Sequence, residues 1–301
     1  MVDNRTRDHA ERTETKPSRV EVPAGALEYV DEGSGPPVVL LHGLLMDHTV
    51  WDDVIPLLPK GFRYIRPVLP LGSHRIPMRE SADLTLDGMA GLVADLLDVL
   101  DLDDVTLVHS DWGGGLFLTA LGRDRRVARL VILPCEAFEN FPPGLPGKMA
   151  TLAVRIPGGV SLAARQLRIA RLRRLPMLWG WMVTRPGDPR LDRRMRAWTE
   201  PVLADARIRR DLVKYAKSVL DDADLIRKTE ALRGFEGDAL VLWSPDNRVM
   251  PPEHGPRLAG LLPHGRYVGI RGAAVLSMLD DPEAVAREIG GFLTGSAARR
   301  K

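Results

Sequence analysis

The sequence predicts an α/β domain: a mostly parallel eight-stranded sheet with helices on both faces and a helical cap inserted after the sixth strand. Three observations carry this expectation. From about residue 20, short apolar runs alternate with amphipathic stretches, as strands alternate with helices around a parallel sheet. Runs such as "PPVVLLHG" (36–43) are continuously apolar, the mark of a strand covered on both faces. The alternation stops over 139–230, which holds no buried-strand pattern, and then resumes.

The elements follow in order. Residues 1–19 are polar, lack an apolar leader core and read as a disordered tail. "RVEV" and "ALEYV" are short alternating strands, and 36–43 is the first buried one. A helix is expected from Asp47 or His48 through "TVWDDVIPLL", then a strand at 62–70. Over 83–101, Met89, Leu92, Val93, Leu96 and Leu100 share one helical face. "DVTLVHS" is a strand, the glycines after it lead a helix, and 127–135 is the next strand. After 139–230 come a strand at 238–244, a helix at 252–262, a strand at 265–270 and a helix from Pro282 to Leu293. The core therefore comprises 20–138 and 231–295, with 139–230 as cap. Such a cap lies over the C-terminal edge of the strands, where open α/β sheets bind ligands.

Composition narrows the function. A net charge of +2 over 301 residues gives no ground for a nucleic-acid partner. One cysteine, Cys135, excludes an internal disulfide and a cysteine-based metal site, which fits the cytoplasm. No apolar run reaches about 18 residues, so no membrane span is expected. No pattern speaks to oligomeric state.

The chemistry concentrates in "HSDWGGG" (109–115). A nucleophile elbow puts a reactive side chain on a tight strand-to-helix turn and needs small residues two positions away. With Ser110 at the turn, Trp112 would fill a position that requires glycine. With Asp111 there, Gly113 fills it and Gly114 follows, which assigns the turn to Asp111. An aspartate there could also serve as an ordinary helix N-cap.

These residues resemble the α/β-hydrolase superfamily. "SDWGG" (110–114) is similar to the Asp-Trp-Gly-Gly of haloalkane dehalogenases and epoxide hydrolases. "LLHGLLMDHTVW" (40–51) resembles their His-Gly loop, and "LVLWSPDNRVMPPEHGPRLAGLLP" (240–263) the strand that carries the acid. The resemblance implies that Asp111 attacks carbon and forms an alkyl ester, that the backbone amides of Trp112 and Leu44 hold the anion, and that the Trp112 indole receives a leaving halide. Leu44 stands where the dehalogenases usually keep a second, polar halide donor.

The same resemblance calls for a histidine after the last strand. Aligned on the following acidic-acidic-Pro, "GIRGAAVLSMLDDPEAVA" (269–286) puts Val275 there, and no histidine occurs after His264. Loss of such a base costs an ester hydrolysis about 10²–10⁴-fold. His42, in the His-Gly motif, and His48 and His74, on loops at the ligand edge, are the candidates near the site. Each is equally the kind of histidine that caps or packs. Two acids stand at the expected strand ends: Asp246, otherwise a turn residue in "SPDN", and Glu136, otherwise one half of an ion pair. The expected catalytic set is thus Asp111, Asp246 and Glu136, with no metal.

Residues 148–198 hold twelve Lys or Arg against two Asp. A solvated face with arginine stems over apolar surface explains them. So does an anionic substrate or an acidic partner at the cap. "LPMLWGWMV" (175–183) offers Trp179 and Trp181 to the pocket or to packing between cap helices. Three functions remain open. The first is a cofactor-free hydrolase acting on a small or medium apolar epoxide, alkyl halide or ester. The second is a lyase, isomerase or cyclase using Asp111 as acid or base, and the third a ligand-binding relative without catalysis.

Overall fold

The computed structural model describes residues 17–218 and 220–299. The expected tail lies almost wholly outside the described residues, and strand β1 begins at Ser18, just inside the span assigned to that tail. Eight strands follow in the chain: β1 (Ser18–Val22), β2 (Gly25–Gly33), β3 (Pro37–Leu40), β4 (Arg63–Pro67), β5 (Val105–Asp111), β6 (Val127–Cys135), β7 (Asp238–Trp243) and β8 (Gly265–Gly269). They form one sheet in the order β1-β2-β4-β3-β5-β6-β7-β8. β2 is antiparallel to β1 and β4, and all other pairs are parallel. The centre is the most deeply buried part: every residue of β5 is buried, as are Val38, Val39 and Leu40 of β3.

Helix α1 (Leu86–Val99) starts where the Thr85 hydroxyl accepts the Gly88 N–H at 3.0 Å, a standard N-cap. It buries Met89, Leu92, Val93 and Leu96 against the sheet. The cap runs from β6 to β7 as α2 (Gly144–Ala153), α3 (Gly159–Leu167), α4 (Ala170–Arg173), α5 (Pro189–Ala204), α6 (Ala206–Lys217) and α7 (Asp222–Glu230). After it come α8 (His254–Leu261), α9 (Ser277–Asp280) and α10 (Pro282–Arg299). No helix among the described residues is long and apolar enough to cross a membrane.

Two expected helices are only 3₁₀ turns. Residues 47–58 give His48–Trp51 and Ile55–Leu57, because Pro56 supplies no N–H and Val50, Val54 and Ile55 are stiff at χ1. After the elbow the chain makes Gly115–Phe117 and Thr119–Leu121. Three successive glycines weaken a helix start, and Gly114 takes φ +71°.

Two cap helices are bolted to the loops at the C-terminal edge. The Trp198 indole N–H donates to Asp47 Oδ1 at 2.9 Å and Thr49 Oγ1 at 2.8 Å, and the Ser73 hydroxyl donates to the Trp198 carbonyl at 2.8 Å. From α6, the buried Asp211 carboxylate accepts the Met78 N–H at 2.8 Å and faces His74 Nε2 at 3.3 Å. Each such bond adds about 1 kcal/mol net, and losing one partner costs more because the other stays buried.

Candidate active site

Asp111 closes β5 with φ 49°, a left-handed conformation that a non-glycine residue adopts only when its surroundings enforce it. Ser110, beside it, is buried and its hydroxyl is without a partner, so the turn belongs to Asp111. Glycines make room on both sides. A Cβ on Gly113 would come within 3.1 Å of the His42 carbonyl, and one on Gly114 within 2.9 Å of Met89. Gly43 is the most constrained: its Cβ would lie 1.9 Å from Asp111 Oδ2. The carboxylate thus lies directly against the loop after β3.

That loop presents the Leu44 N–H, which donates to Asp111 Oδ2 at 3.1 Å. His42 shapes the loop. Its Nε2 accepts the Leu69 N–H at 2.8 Å, and Nδ1 lies 2.9 Å from the Gly43 carbonyl, so Nδ1 carries the proton. Burial pushes this imidazole down to about 4, which keeps it neutral. Leu45, at φ 55°, completes the turn.

Asp111 is 4% exposed. Burial, followed by the nearby Glu136 charge, pushes its carboxyl from 3.8 up to about 7, against the downward pull of the Leu44 and Trp112 N–H groups. Such a group exchanges a proton readily near neutrality. Glu136 follows β6, is fully buried, and lies 3.6 Å from His109 Nε2. None of its carboxylate oxygens or the His109 ring nitrogens makes a hydrogen bond. The pair lies behind the elbow, since His109 Nδ1 faces the glycines at 113 and 115 and neither side chain lines the cavity. Cys135 joins them, with ligand-type atoms of all three within 4.8 Å. Burial and the two carboxylates push its thiol up.

In front of Asp111 is a cavity of about 380 Å³ between core and cap. Leu44, Leu45, Trp112 and Val249 line it from the core, and Met149, Leu167, Trp179 and Met182 from the cap. Among its described lining residues, Asp111 is the only ionisable side chain, and Gln166 the only other with a polar terminus apart from the two indoles. The Trp112 indole N–H is buried without a partner, and its ring packs on Phe141 with centroids 5.1 Å apart. From α6 the Tyr215 hydroxyl donates to the Trp112 carbonyl at 2.7 Å.

The structure brings Asp111, Leu44, Trp112 and Trp179 together around this cavity, with Glu136 behind. Several sequence-derived candidates fall elsewhere. Asp246 is exposed, with its carboxylate accepting the Gly272 N–H at 2.7 Å, so it serves the turn rather than the cavity. His42 is a loop brace, and His74 is consumed by Asp211 and the Gly72 N–H. His48 sits at the start of a 3₁₀ turn, away from the lining. Trp181 packs part-buried on the core and does not line the cavity. Val275, at the expected histidine position, is fully buried among Ala274 and Leu276, and the Leu276 N–H donates to the Met182 carbonyl at 2.9 Å. Two contributors were missed. Gly43 stood in the His-Gly motif without a stated role. Tyr215 was legible only as the apolar stripe Ile208–Leu212–Tyr215 of α6.

Fold and site together define the class. Residues 36–282 match the family model described as alpha/beta hydrolase fold, and the chain belongs to that family of enzymes. Within the family it lies in the dehalogenase and epoxide-hydrolase-like branch of hydrolases. It is 27% identical over 281 residues to Haloalkane dehalogenase 2 of Mycobacterium tuberculosis (strain ATCC 25618 / H37Rv), spanning 88% of this chain and 90% of that protein. It is 37% identical over 123 residues to the soluble epoxide hydrolase of Corynebacterium sp. (strain C12), 38% of this chain and 42% of that one. The crystal structure of haloalkane dehalogenase DbeA from Bradyrhizobium elkani USDA94 shares the fold, with a TM-score of 0.75 at 20% identity over 94% of this chain and 99% of the other.

Proposed function

We propose that the protein is a cofactor-free hydrolase in which Asp111 attacks an electrophilic carbon of a small or medium apolar substrate: an epoxide, an alkyl halide or an ester. The observation that carries this reading is the Asp111 carboxylate, held by the Leu44 N–H on a left-handed turn at the floor of an apolar cavity. The carboxylate oxygen forms a bond to carbon while the bond to the leaving atom breaks. That atom departs with the electron pair, towards the unpartnered indole N–H of Trp112. Water then attacks the ester carbonyl carbon, the acyl–oxygen bond breaks, the alcohol leaves with a proton from that water, and Asp111 returns with one new oxygen.

Among the described residues no imidazole lines the cavity, so the second half-reaction lacks its usual base. The alkyl ester on Asp111 is therefore expected to accumulate, with hydrolysis slower by about 10²–10⁴-fold than with a positioned base. Turnover in ¹⁸O-water followed by peptide mass spectrometry tests the route. Label in Asp111 supports it, and turnover of an authentic substrate without label overturns it. That second outcome favours proton transfer by Asp111 in a lyase, isomerase or cyclase, a reading supported by a carboxyl pushed up to about 7.

A further inference from the structure

The outer face of the cap combines two features that a soluble enzyme rarely places together. Ten large apolar side chains are exposed among the described residues, and seven lie between residues 145 and 177: Leu145, Leu152, Ile156, Leu162, Ile169, Leu175 and Met177. The other three are scattered over the core. Isolated exposed leucines need no explanation, but a concentration in one surface segment does. Four of the seven, Leu152, Ile156, Leu162 and Met177, also line the cavity. Residues both exposed and lining can only form its mouth.

The second feature is charge. From Phe141 to Gly187 the chain holds eight Lys or Arg and no acidic residue. Arg168 and Arg173 are paired to Glu200 and Asp192 on α5. Lys148, Arg155, Arg165 and Arg171 are exposed and have no carboxylate partner among the described residues. The pattern of α3 shows how the two features alternate. Val160, Ala164 and Leu167 face inward, while Leu162 and Arg165, three apart, face solvent. Arg155, exposed, stands in the sequence between the mouth residues Leu152 and Ile156.

We propose that this face docks on an anionic lipid surface, with the aliphatic side chains entering the headgroup boundary and the arginines meeting lipid phosphates, so that apolar substrates pass from bilayer to cavity. A second copy of this chain would bring like charges together. A soluble acidic partner would satisfy the arginines but not the exposed aliphatic rim. Lipid supplies both halves of the complement. The proposal is independent of the chemistry assigned to Asp111, because its test needs no substrate.

The test is sedimentation of the full chain with phosphatidylglycerol-containing vesicles against pure phosphatidylcholine vesicles, at low and high salt. The expected result is binding to the anionic vesicles alone, weakened by salt. The triple variant R155Q/R165Q/R171Q lowers the partition by about a hundredfold, at about fivefold per arginine near such a surface. The variant I169S/L175S, outside the cavity lining, weakens binding without changing net charge. Circular dichroism checks that both variants are folded. Absence of binding to anionic vesicles at low salt overturns the proposal. So does binding that both variants retain, or retention on a soluble polyanion without vesicle binding, which would assign the arginines to an acidic macromolecule.

Discussion

Replacing Asp111 by Asn should stabilise the protein in a pH-dependent way, and the size follows from the site. The carboxyl rises from 3.8 in an unfolded chain to about 7 in the fold, because burial and Glu136 oppose its charge. Between those values the folded state holds a proton that the unfolded state has released. Stability therefore falls as pH rises from about 4 to about 7, and the loss is complete above that. At about 1.4 kcal/mol per decade of proton affinity, the loss at about pH 8 is of the order of 4 kcal/mol. An Asn side chain cannot ionise and escapes it, while its amide oxygen still accepts the Leu44 N–H. For a chain of this length the difference corresponds to roughly 6 °C in thermal midpoint. Thermal unfolding of native and D111N protein, followed by circular dichroism across that pH range, should give nearly equal midpoints at the acid end and a widening advantage for the variant towards the alkaline end. A constant offset, or a native protein more stable than the variant above neutrality, would refute the assignment of a strained, elevated carboxyl.

Other consequences follow from the same contacts. On the proposed route the attacking form of Asp111 is the carboxylate, so single-turnover alkylation should rise with pH through about 7. Glu136→Gln should move that profile to lower pH with little change in plateau, and an unmoved profile would remove Glu136 as a cause. Gly43→Ala puts a methyl group 1.9 Å from the present position of Asp111 Oδ2, so the carboxylate must move. A displacement of about 1 Å at a nucleophile costs on the order of 10²-fold, so alkylation measured by intact-mass spectrometry should fall by at least that much. Tyr215→Phe removes the donor to the Trp112 carbonyl. It should lower stability by about 1 kcal/mol in urea unfolding, and an unaffected midpoint would show that water replaces the phenol.

The sheet was legible because its central strands read as largely apolar runs and its first two as alternating ones, patterns set by how each strand is covered. The elbow was legible for a different reason. Backbone crowding at a tight turn favours glycine two residues after the side chain at its apex, so Gly113 selects Asp111 over Ser110 as the residue on the turn, where its φ of 49° places it. What sequence reasoning could not provide was the direction of side chains on loops. Asp246 occupies the expected strand end, yet its carboxylate turns back to the Gly272 N–H. His74 reaches the ligand edge but meets an aspartate 137 residues away, on α6. Such outcomes depend on long-range partners that no local pattern encodes. The helical failures at 47–58 and 115–121 were local and readable: Pro56, the β-branched neighbours and the glycine run all argued against regular helix.

The cap divides its labour along the chain. Its first half, through Met182, supplies most of the cavity wall and the whole of the mouth. Its second half supplies the bolts, through Trp198 and Asp211. A chain organised this way can exchange residues that choose a substrate without loosening the residues that keep the roof in place. Selection acting on diet and selection acting on durability then fall on separate stretches of one gene, and the roof can diversify while the floor stays unchanged.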